Sequence, residues 1–396
     1  MFRNSFNSSS AFSVRIKNLY FHPFNQKIEN SHYKEINMQD IYTLIMAGGS
    51  GTRFWPRSKT RKPKQYLNIF GDSSLLQDTI ERFSDFTARD NIYIVSSATQ
   101  AEVLEEQTKM LPKENLIYEP VGRNTLPCIG LAAMYAEREN PDGVMVVSPS
   151  DHLITNTELF KDSVLAAVKI ADERNGIVTI GITPAYPATG YGYVQTAEDI
   201  TGEENIRQFK VERFVEKPNE ETATEYLEQG GFYWNSGLFV FKVSVFLDAV
   251  QKFAPGLYAD LRKIQADFGR PTYAQTLDTI YRAVKSISVD YGIMEHAQNI
   301  YLVEGNFDWN DLGSWESVYL TDKKDENGNA GSGEAILENT KNSYVYSDKG
   351  MIAVIGLDDV IVVQDGNTTL VCKRENAEDV KKIVERLKAQ KKDQYL

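Results

Sequence analysis

Three glycines followed by two spaced cations form the stretch of this chain best suited to handling phosphate. Residues 43–67 read TLIMAGGSGTRFWPRSKTRKPKQYL; Gly48, Gly49 and Gly51 precede Thr52 and Arg53, and Lys64 follows eleven residues after Arg53. Glycines lack a Cβ, so they can take positive φ and aim several N–H groups at one point, the nest that a polyphosphate fills. Arg53 and Lys64 would supply the counter-ions. The two better-known glycine loops are excluded by spacing. Thr52 and Arg53 stand where GxxxxGK[ST] needs its lysine and hydroxyl, and GxGxxG counted from Gly49 puts its third glycine on Phe54. A bare GGSG equally fits a tight turn beside a solvated basic segment. A second candidate is Asp151, in Ser148-Pro149-Ser150-Asp151-His152, directly after an apolar run at 144–147. A carboxylate at a strand end suits magnesium, which takes one or two carboxylates and fills its shell with water and substrate phosphate. His152 is one of four histidines and has no second one at ligand spacing, so no zinc site is expected.

These residues need strand ends to carry them. The apolar run Ile41–Met46 predicts a strand buried on both faces, and Ser74-x-x-Gln77 reads as a capping box ahead of Leu76, Ile80 and Phe83 at helical spacing. Further strands are predicted at 91–96, 144–147 and 177–182, with helices over 127–138 and 159–172. The alternation predicts a Rossmann-like α/β domain, its sheet mixed but mostly parallel, with helices on both faces. Ligands collect at the C-terminal strand ends of such sheets. Glu119-Pro120-Val121-Gly122-Arg123-Asn124-Thr125 leads into the second of these helical patterns, where Asn124 or Thr125 could simply cap it. The segment 187–193 reads as a glycine-bearing turn, and Glu216-Lys217 as an exposed pair at a turn. Asn235 lies in the aromatic run 232–241, either as a polar contact or satisfied at a bulge. Asp290 starts a short helix as a candidate cap, and Asp308 and Asp311 form a late acidic pair.

The full pattern GGSGTRFWPRS…KPKQYL resembles the signature loop of the sugar-nucleotide pyrophosphorylases. In its Phe-Trp-Pro and Lys-Gln-Tyr details it is similar to the mannose-1-phosphate guanylyltransferases, and the resemblance runs from about Met38 to the C-terminus. It implies a nucleotidyltransferase domain that moves GMP from GTP to mannose 1-phosphate with Mg2+. It assigns catalysis to Arg53, Lys64, Asp151 and Asp311, with Asp151 and Asp311 as metal ligands. Asp311 is chosen over Asp308 by the W-x-D-x-G pattern. Nucleotide contacts fall on Gly48, Gly49, Gly51, Thr52, Arg53 and Lys64 and, through EPxGRNTxP, on Arg123 and Asn124. Sugar-phosphate contacts fall on Gly190, Glu216, Lys217 and Asn235. Leu126 departs from the pattern, which has a smaller residue there. Two alternatives stay open: a different base or sugar, or a non-catalytic nucleotide-sugar-binding subunit, against which the intact Arg53, Lys64, Asp151 and Asp311 argue.

Composition sets the frame. The 396 residues are 42% hydrophobic, enough for a large core, and a net charge of −12 argues against binding nucleic acid or a membrane surface. No apolar run approaches the roughly 20 residues of a spanning helix. Two cysteines are too few for a disulfide framework and point to the cytoplasm. Residues 1–37, with five Lys or Arg against two acids, differ from the rest and are expected to be a disordered leader, with Met38 an alternative start. The catalytic domain is expected over 38–322, a polar linker over 323–334, and a small β-rich domain with a closing helix over 335–396. The resemblance implies that this last domain is left-handed β-helix-like and used for association, as in a homodimer; its sequence alone also allows a sandwich.

Overall fold

The computed structural model describes residues 37–49, 51–202 and 206–396. The leader expected over 1–37 lies outside them except for Asn37, which caps the 3-10 turn Met38–Asp40. Among the described residues, no helix is long and apolar enough to cross a membrane.

Strand β1 (Ile41–Met46) is buried on both faces, as its unbroken apolar run predicts. Tyr42 and Leu44 pack into the cluster built on helix Thr125–Glu139, while on the opposite face the Thr43 hydroxyl meets that of Thr87 at 2.9 Å. Three further strands, β2 (Ile92–Ser97), β3 (Leu116–Glu119) and β4 (Val144–Pro149), join it in parallel in the order β3-β2-β1-β4. All four therefore end at the same edge. A two-residue strand β5 (Leu153–Ile154) follows, then β6 (Ile177–Ile182), β7 (Tyr193–Asp199), β8 (Gln208–Val215), β9 (Phe232–Lys242) and β10 (Ile300–Glu304). The sheet has nine strands, ordered β3-β2-β1-β4-β9-β6-β10-β8-β7. Parallel pairing governs the first half. In the second half β9 runs antiparallel to both β4 and β6, and only β6 and β10 are parallel. An apolar run such as 238–241 reads the same in either direction, so this reversal is not visible in the sequence.

The Ser74–Gln77 capping box forms as expected, each side chain bonding the other residue's backbone N–H at the head of helix Leu75–Ser84. Leu126 fits because the chain makes room elsewhere. It is fully buried, and a Cβ placed on Gly292 would stand 2.4 Å from its Cδ2. Glycine at 292 thus offsets the large residue at 126, whose burial is worth about 2 kcal/mol.

After β11 (Trp309–Asn310), which pairs antiparallel with β5, the chain enters a second sheet of β12 (Ala330–Glu338), β13 (Tyr344–Ile355), β14 (Val360–Asp365) and β15 (Thr368–Lys373). Pairs β12/β13 and β13/β14 are parallel and β14/β15 antiparallel, the stacked-coil pattern of a β-helix-like domain rather than a sandwich. The stretch expected as a linker, 323–334, departs from that reading at its end. Ala330 already opens β12, and Asn329 bonds the Thr340 carbonyl at 2.9 Å and the Ser343 N–H at 3.0 Å. Its glycines belong to the strand: Gly331 and Gly333 have positive φ, and a Cβ on either would collide with the β13 backbone. The closing helix is Val380–Ala389, after a 3-10 segment Arg374–Asp379.

This second sheet packs on the glycine loop. Phe54 and Trp55 share one core with Trp315, Tyr344, Ile361, Val380 and Val384. The Trp55 indole N–H donates to the Tyr395 carbonyl at 2.9 Å, and that of Trp315 to the Trp55 carbonyl at 3.1 Å. The Phe-Trp pair of the signature loop therefore joins the two parts of the molecule.

Candidate active site

The turn Lys64–Tyr66 places three side chains with three different jobs. Tyr66 is buried and its hydroxyl meets Ser96 Oγ at 2.9 Å, which anchors the turn in the core. Gln65 braces the glycine loop, donating from Nε2 to the carbonyls of Ala47 at 2.7 Å and Gly49 at 3.2 Å. Lys64 reaches the other way. Its Nζ lies 2.9 Å from Asp151 Oδ2 and donates to the carbonyls of Asp311 at 2.6 Å and Leu312 at 3.0 Å. An ammonium only 6% exposed thus joins two segments far apart in the chain.

Backbone contacts bring these segments together. Ala47 N–H bonds the Val95 carbonyl and Ser150 N–H the Met46 carbonyl, so the loops after β1 and β4 leave the sheet side by side. Gly51 has φ +53°, and a Cβ there would stand 2.5 Å from Lys64 Cβ, so this position requires glycine. Gly48 and Gly49 do not adopt positive φ, contrary to the expected nest of three, because the tight approach occurs only where the loop meets Lys64. Thr52 and Arg53 form a 3-10 turn, and Arg53 Nε sits 2.6 Å from Glu378 Oε2 of the C-terminal segment. Both residues still line one cavity of about 250 Å³ with Gly51, Lys64, Asp151 and Asp311.

Burial alone would raise the Asp151 carboxyl, but Lys64 and, secondarily, His152 outweigh it and hold it below the ordinary carboxylate range. His152 is pushed down, first by burial and then by Lys64 against the pull of Asp151; its Nδ1 accepts from the Trp309 indole at 3.2 Å. Asp311 Oδ1 accepts from the Tyr191 hydroxyl at 2.8 Å, whereas Asp308 Oδ2 accepts from Thr155 at 3.2 Å and lines no part of the cavity. The pairing of β11 with β5 separates the two acids. The donor set suits a hard divalent cation, having two carboxylates in one cavity. Among the described residues there is no cluster of three or more His, Cys, Asp or Glu.

A second group of candidates gathers beyond Tyr191. Asn235 Nδ2 donates to Asp290 Oδ1 at 2.9 Å, and its Oδ1 accepts from Thr179 Oγ1 and the Gly237 N–H, both at 3.1 Å. Glu216 Oε1 lies 3.0 Å from the exposed Lys217 ammonium. Burial, reinforced by Glu216, pushes the Asp290 carboxyl up to about 6. Asp290 was legible only as a cap; it is instead an acceptor in this cluster. A Cβ built on Gly190 would meet nothing within 4 Å, whereas one on Gly192 would stand 2.8 Å from Glu216 Oε2, so a side chain at 192 would displace the Glu216 carboxylate.

Arg123 and Asn124 are differently engaged. Arg123 donates to the carbonyls of Tyr281 and Arg282, and Asn124, at φ +69°, caps helix Thr125–Glu139 through the Thr125 N–H at 2.8 Å. The residue of that motif that turns inward is Glu119, at the end of β3. It is buried, it accepts from the Tyr281 hydroxyl, and burial pushes its carboxyl up to about 7. An acid closing an apolar strand was the signal available for it in the sequence.

Comparison with known proteins bears on the family and the fold. Residues 42–328 match the family model "Nucleotidyl transferase", and 333–387 match "MannoseP isomerase/GMP-like beta-helix domain". A mannose-1-phosphate guanylyltransferase of Klebsiella pneumoniae is 39% identical over 358 residues, 90% of this chain and 75% of that protein. One from Escherichia coli K12 is 37% identical over 354 residues, 88% and 74%. A solved Thermus thermophilus structure described as a mannose-1-phosphate geranyltransferase superposes with TM-score 0.80 at 29% identity, covering 88% of this chain and 100% of that one.

Proposed function

Since this chain belongs to the nucleotidyl transferase family and, within it, to the mannose-1-phosphate guanylyltransferases, we propose that it transfers GMP from GTP to mannose 1-phosphate, yielding GDP-mannose and pyrophosphate. The observation that carries this reading is the buried Lys64 ammonium held between Asp151 and the Asp311 backbone in one cavity with the glycine loop.

An oxygen of the mannosyl phosphate attacks the α-phosphorus of GTP. The new P–O bond forms as the bond from that phosphorus to the α–β bridging oxygen breaks, and pyrophosphate leaves with the electron pair. The attacking phosphate is already ionised, so no general base is required, and the residues act by alignment and charge. Lys64 offers a fixed positive charge beside the reacting phosphates, its geometry set before substrate arrives. Arg53 exchanges Glu378 for phosphate oxygens. Lys217 holds the sugar phosphate, and Glu216 and Asn235 orient the sugar hydroxyls. Asp151 and Asp311 would hold a magnesium ion, which would supply Lewis-acid neutralisation of phosphate charge.

Free Cys128 and Cys372 support cytoplasmic residence. Exposed Ile336, Met351 and Ile355 on the second sheet support association of two copies there, readable from the solution mass. The substrate reading is tested by kcat/KM for four pairs, GTP or UTP with mannose or glucose 1-phosphate, followed by pyrophosphate release. GTP with mannose 1-phosphate is expected to lead; comparable efficiency with UTP and glucose 1-phosphate would overturn the reading.

A further inference from the structure

The two acids of the cavity are held in different ways. Asp151 has its Oδ2 on the Lys64 ammonium at 2.9 Å, whereas among the described residues the Asp311 carboxylate pairs with no cation. From that segment Lys64 takes only the backbone, donating to the carbonyls of Asp311 and Leu312. The chain is bent to allow this. Leu312 is fully buried at φ +47°, a region that a bulky side chain seldom enters, and its N–H is caught by Asn310 Oδ1 at 2.8 Å. Such a conformation persists only where its surroundings enforce it. With both carbonyls turned to Lys64, the Asp311 side chain needs an anchor of its own.

That anchor is the Tyr191 hydroxyl, 120 positions earlier in the chain, which donates to Oδ1 at 2.8 Å. An ionised carboxylate only accepts, so the direction of the bond is set. The Tyr191 ring is itself fixed, edge to face with Trp234 at 5.1 Å and with Trp309 at 5.3 Å between centroids. Trp309 lies on β11, two residues before Asp311, and Trp234 on β9 beside Asn235. Packing from both sides therefore aims the hydroxyl, which among the described residues is the single donor on this carboxylate.

We infer that Tyr191 is a positioning residue for the cation site: its hydroxyl fixes Asp311 by Oδ1 and so leaves Oδ2 as the oxygen offered to the metal. The assignment rests on the proposed use of Asp311 as a magnesium ligand. Magnesium demands near-ideal octahedral geometry, so a carboxylate free to swivel holds it less well. A swivelling Asp311 would also be driven away from Asp151, the other negative charge in the cavity. Tyr191 opposes that movement and, being neutral, does not repel the metal as a second ammonium would.

The test counts Mn2+ bound to the full chain, read from the EPR signal of the free ion, with saturating α,β-methylene-GTP, whose α–β link cannot be cleaved, and with binding to the nucleotide alone subtracted. Manganese suits the same oxygen donors as magnesium. Tyr191→Phe keeps the ring between the two indoles and removes only the hydroxyl. It should weaken Mn2+ binding by about tenfold, the lower end of the loss when a group that orients a metal ligand is removed. Its affinity for mannose 1-phosphate without metal, measured by calorimetry, should be unchanged. In an Asp311→Asn background the same substitution should cost less than about twofold, since the ligand it orients is already lost. Unchanged Mn2+ affinity in Tyr191→Phe would overturn the assignment, as would an equal loss in the Asp311→Asn background, which would show the hydroxyl acting elsewhere. A loss of mannose 1-phosphate affinity without metal would also overturn it, by making Tyr191 a sugar contact. An Asp311→Asn variant that binds Mn2+ as wild type does would instead strike the parent reading of Asp311 as a ligand.

Discussion

Replacing Asp290 by Asn should make the protein more stable at neutral pH while weakening its hold on the sugar phosphate. Burial and then Glu216 push this carboxyl up to about 6 from 3.8. The folded state thus holds the proton more tightly than the unfolded chain. The stabilising contribution is full below about 3.8 and is lost as pH rises through about 6; above that window the folded state carries an ionised carboxylate in a site that disfavours it. A rise of about two units at 1.36 kcal/mol each sets a ceiling near 3 kcal/mol. Partial exposure of the side chain lowers the expected gain in Asp290→Asn to about 2 kcal/mol. The amide oxygen of the variant can still accept from Asn235, so the Thr179–Asn235 chain persists. Urea unfolding at pH 8, 6 and 4 reads the difference. The variant's midpoint should lie above wild type at pH 8, and the gap should narrow at 6 and nearly vanish at 4. Its KM for mannose 1-phosphate should rise with the acceptor charge gone. Equal midpoints at pH 8, or a variant weaker at every pH, would refute the electrostatic account of this cluster.

The other expectations follow from single contacts. Lys64→Ala should raise the barrier to turnover by about 2 kcal/mol or more, and near-normal kcat would exclude a role for Lys64 in the transition state. Magnesium titrations with and without GTP should show metal affinity rising with nucleotide. Asp151→Asn and Asp311→Asn should weaken that coupling and remove most activity, whereas Asp308→Asn, whose carboxylate is held by Thr155, should do much less; the reverse pattern would move the metal to Asp308. Gly192→Ala should raise KM for mannose 1-phosphate several-fold by displacing Glu216, with kcat for saturating substrate changed less, and an unaltered KM would separate Gly192 from the sugar site.

What could be read in the sequence was local. An apolar strand breaking into glycines, an acid after a strand and a capping box each advertise themselves within a few residues, so β1, Lys64, Asp151 and helix Leu75–Ser84 could be located beforehand. Juxtaposition across the sheet could not. Nothing near Asp290 says that Asn235 will donate to it, and nothing near Glu119 says that Tyr281 will take one of its oxygens. Gly292 and Leu126 are likewise a pair that only packing reveals. Polar, glycine-rich composition also misled at 330–334, because close strand stacking requires small residues as surely as a flexible linker tolerates them. Asn124 went to its cap and Arg123 to backbone carbonyls, the ordinary duties of those residue types at a helix start.

Following the α-phosphorus of GTP tests the central claim most directly. With GTP labelled at that atom, mannose 1-phosphate and magnesium, the account predicts that every turnover places the label in GDP-mannose and releases one unlabelled pyrophosphate. Label recovered as GMP, or unlabelled phosphate released without GDP-mannose, would contradict it, since the site would then be hydrolysing the nucleotide rather than transferring it.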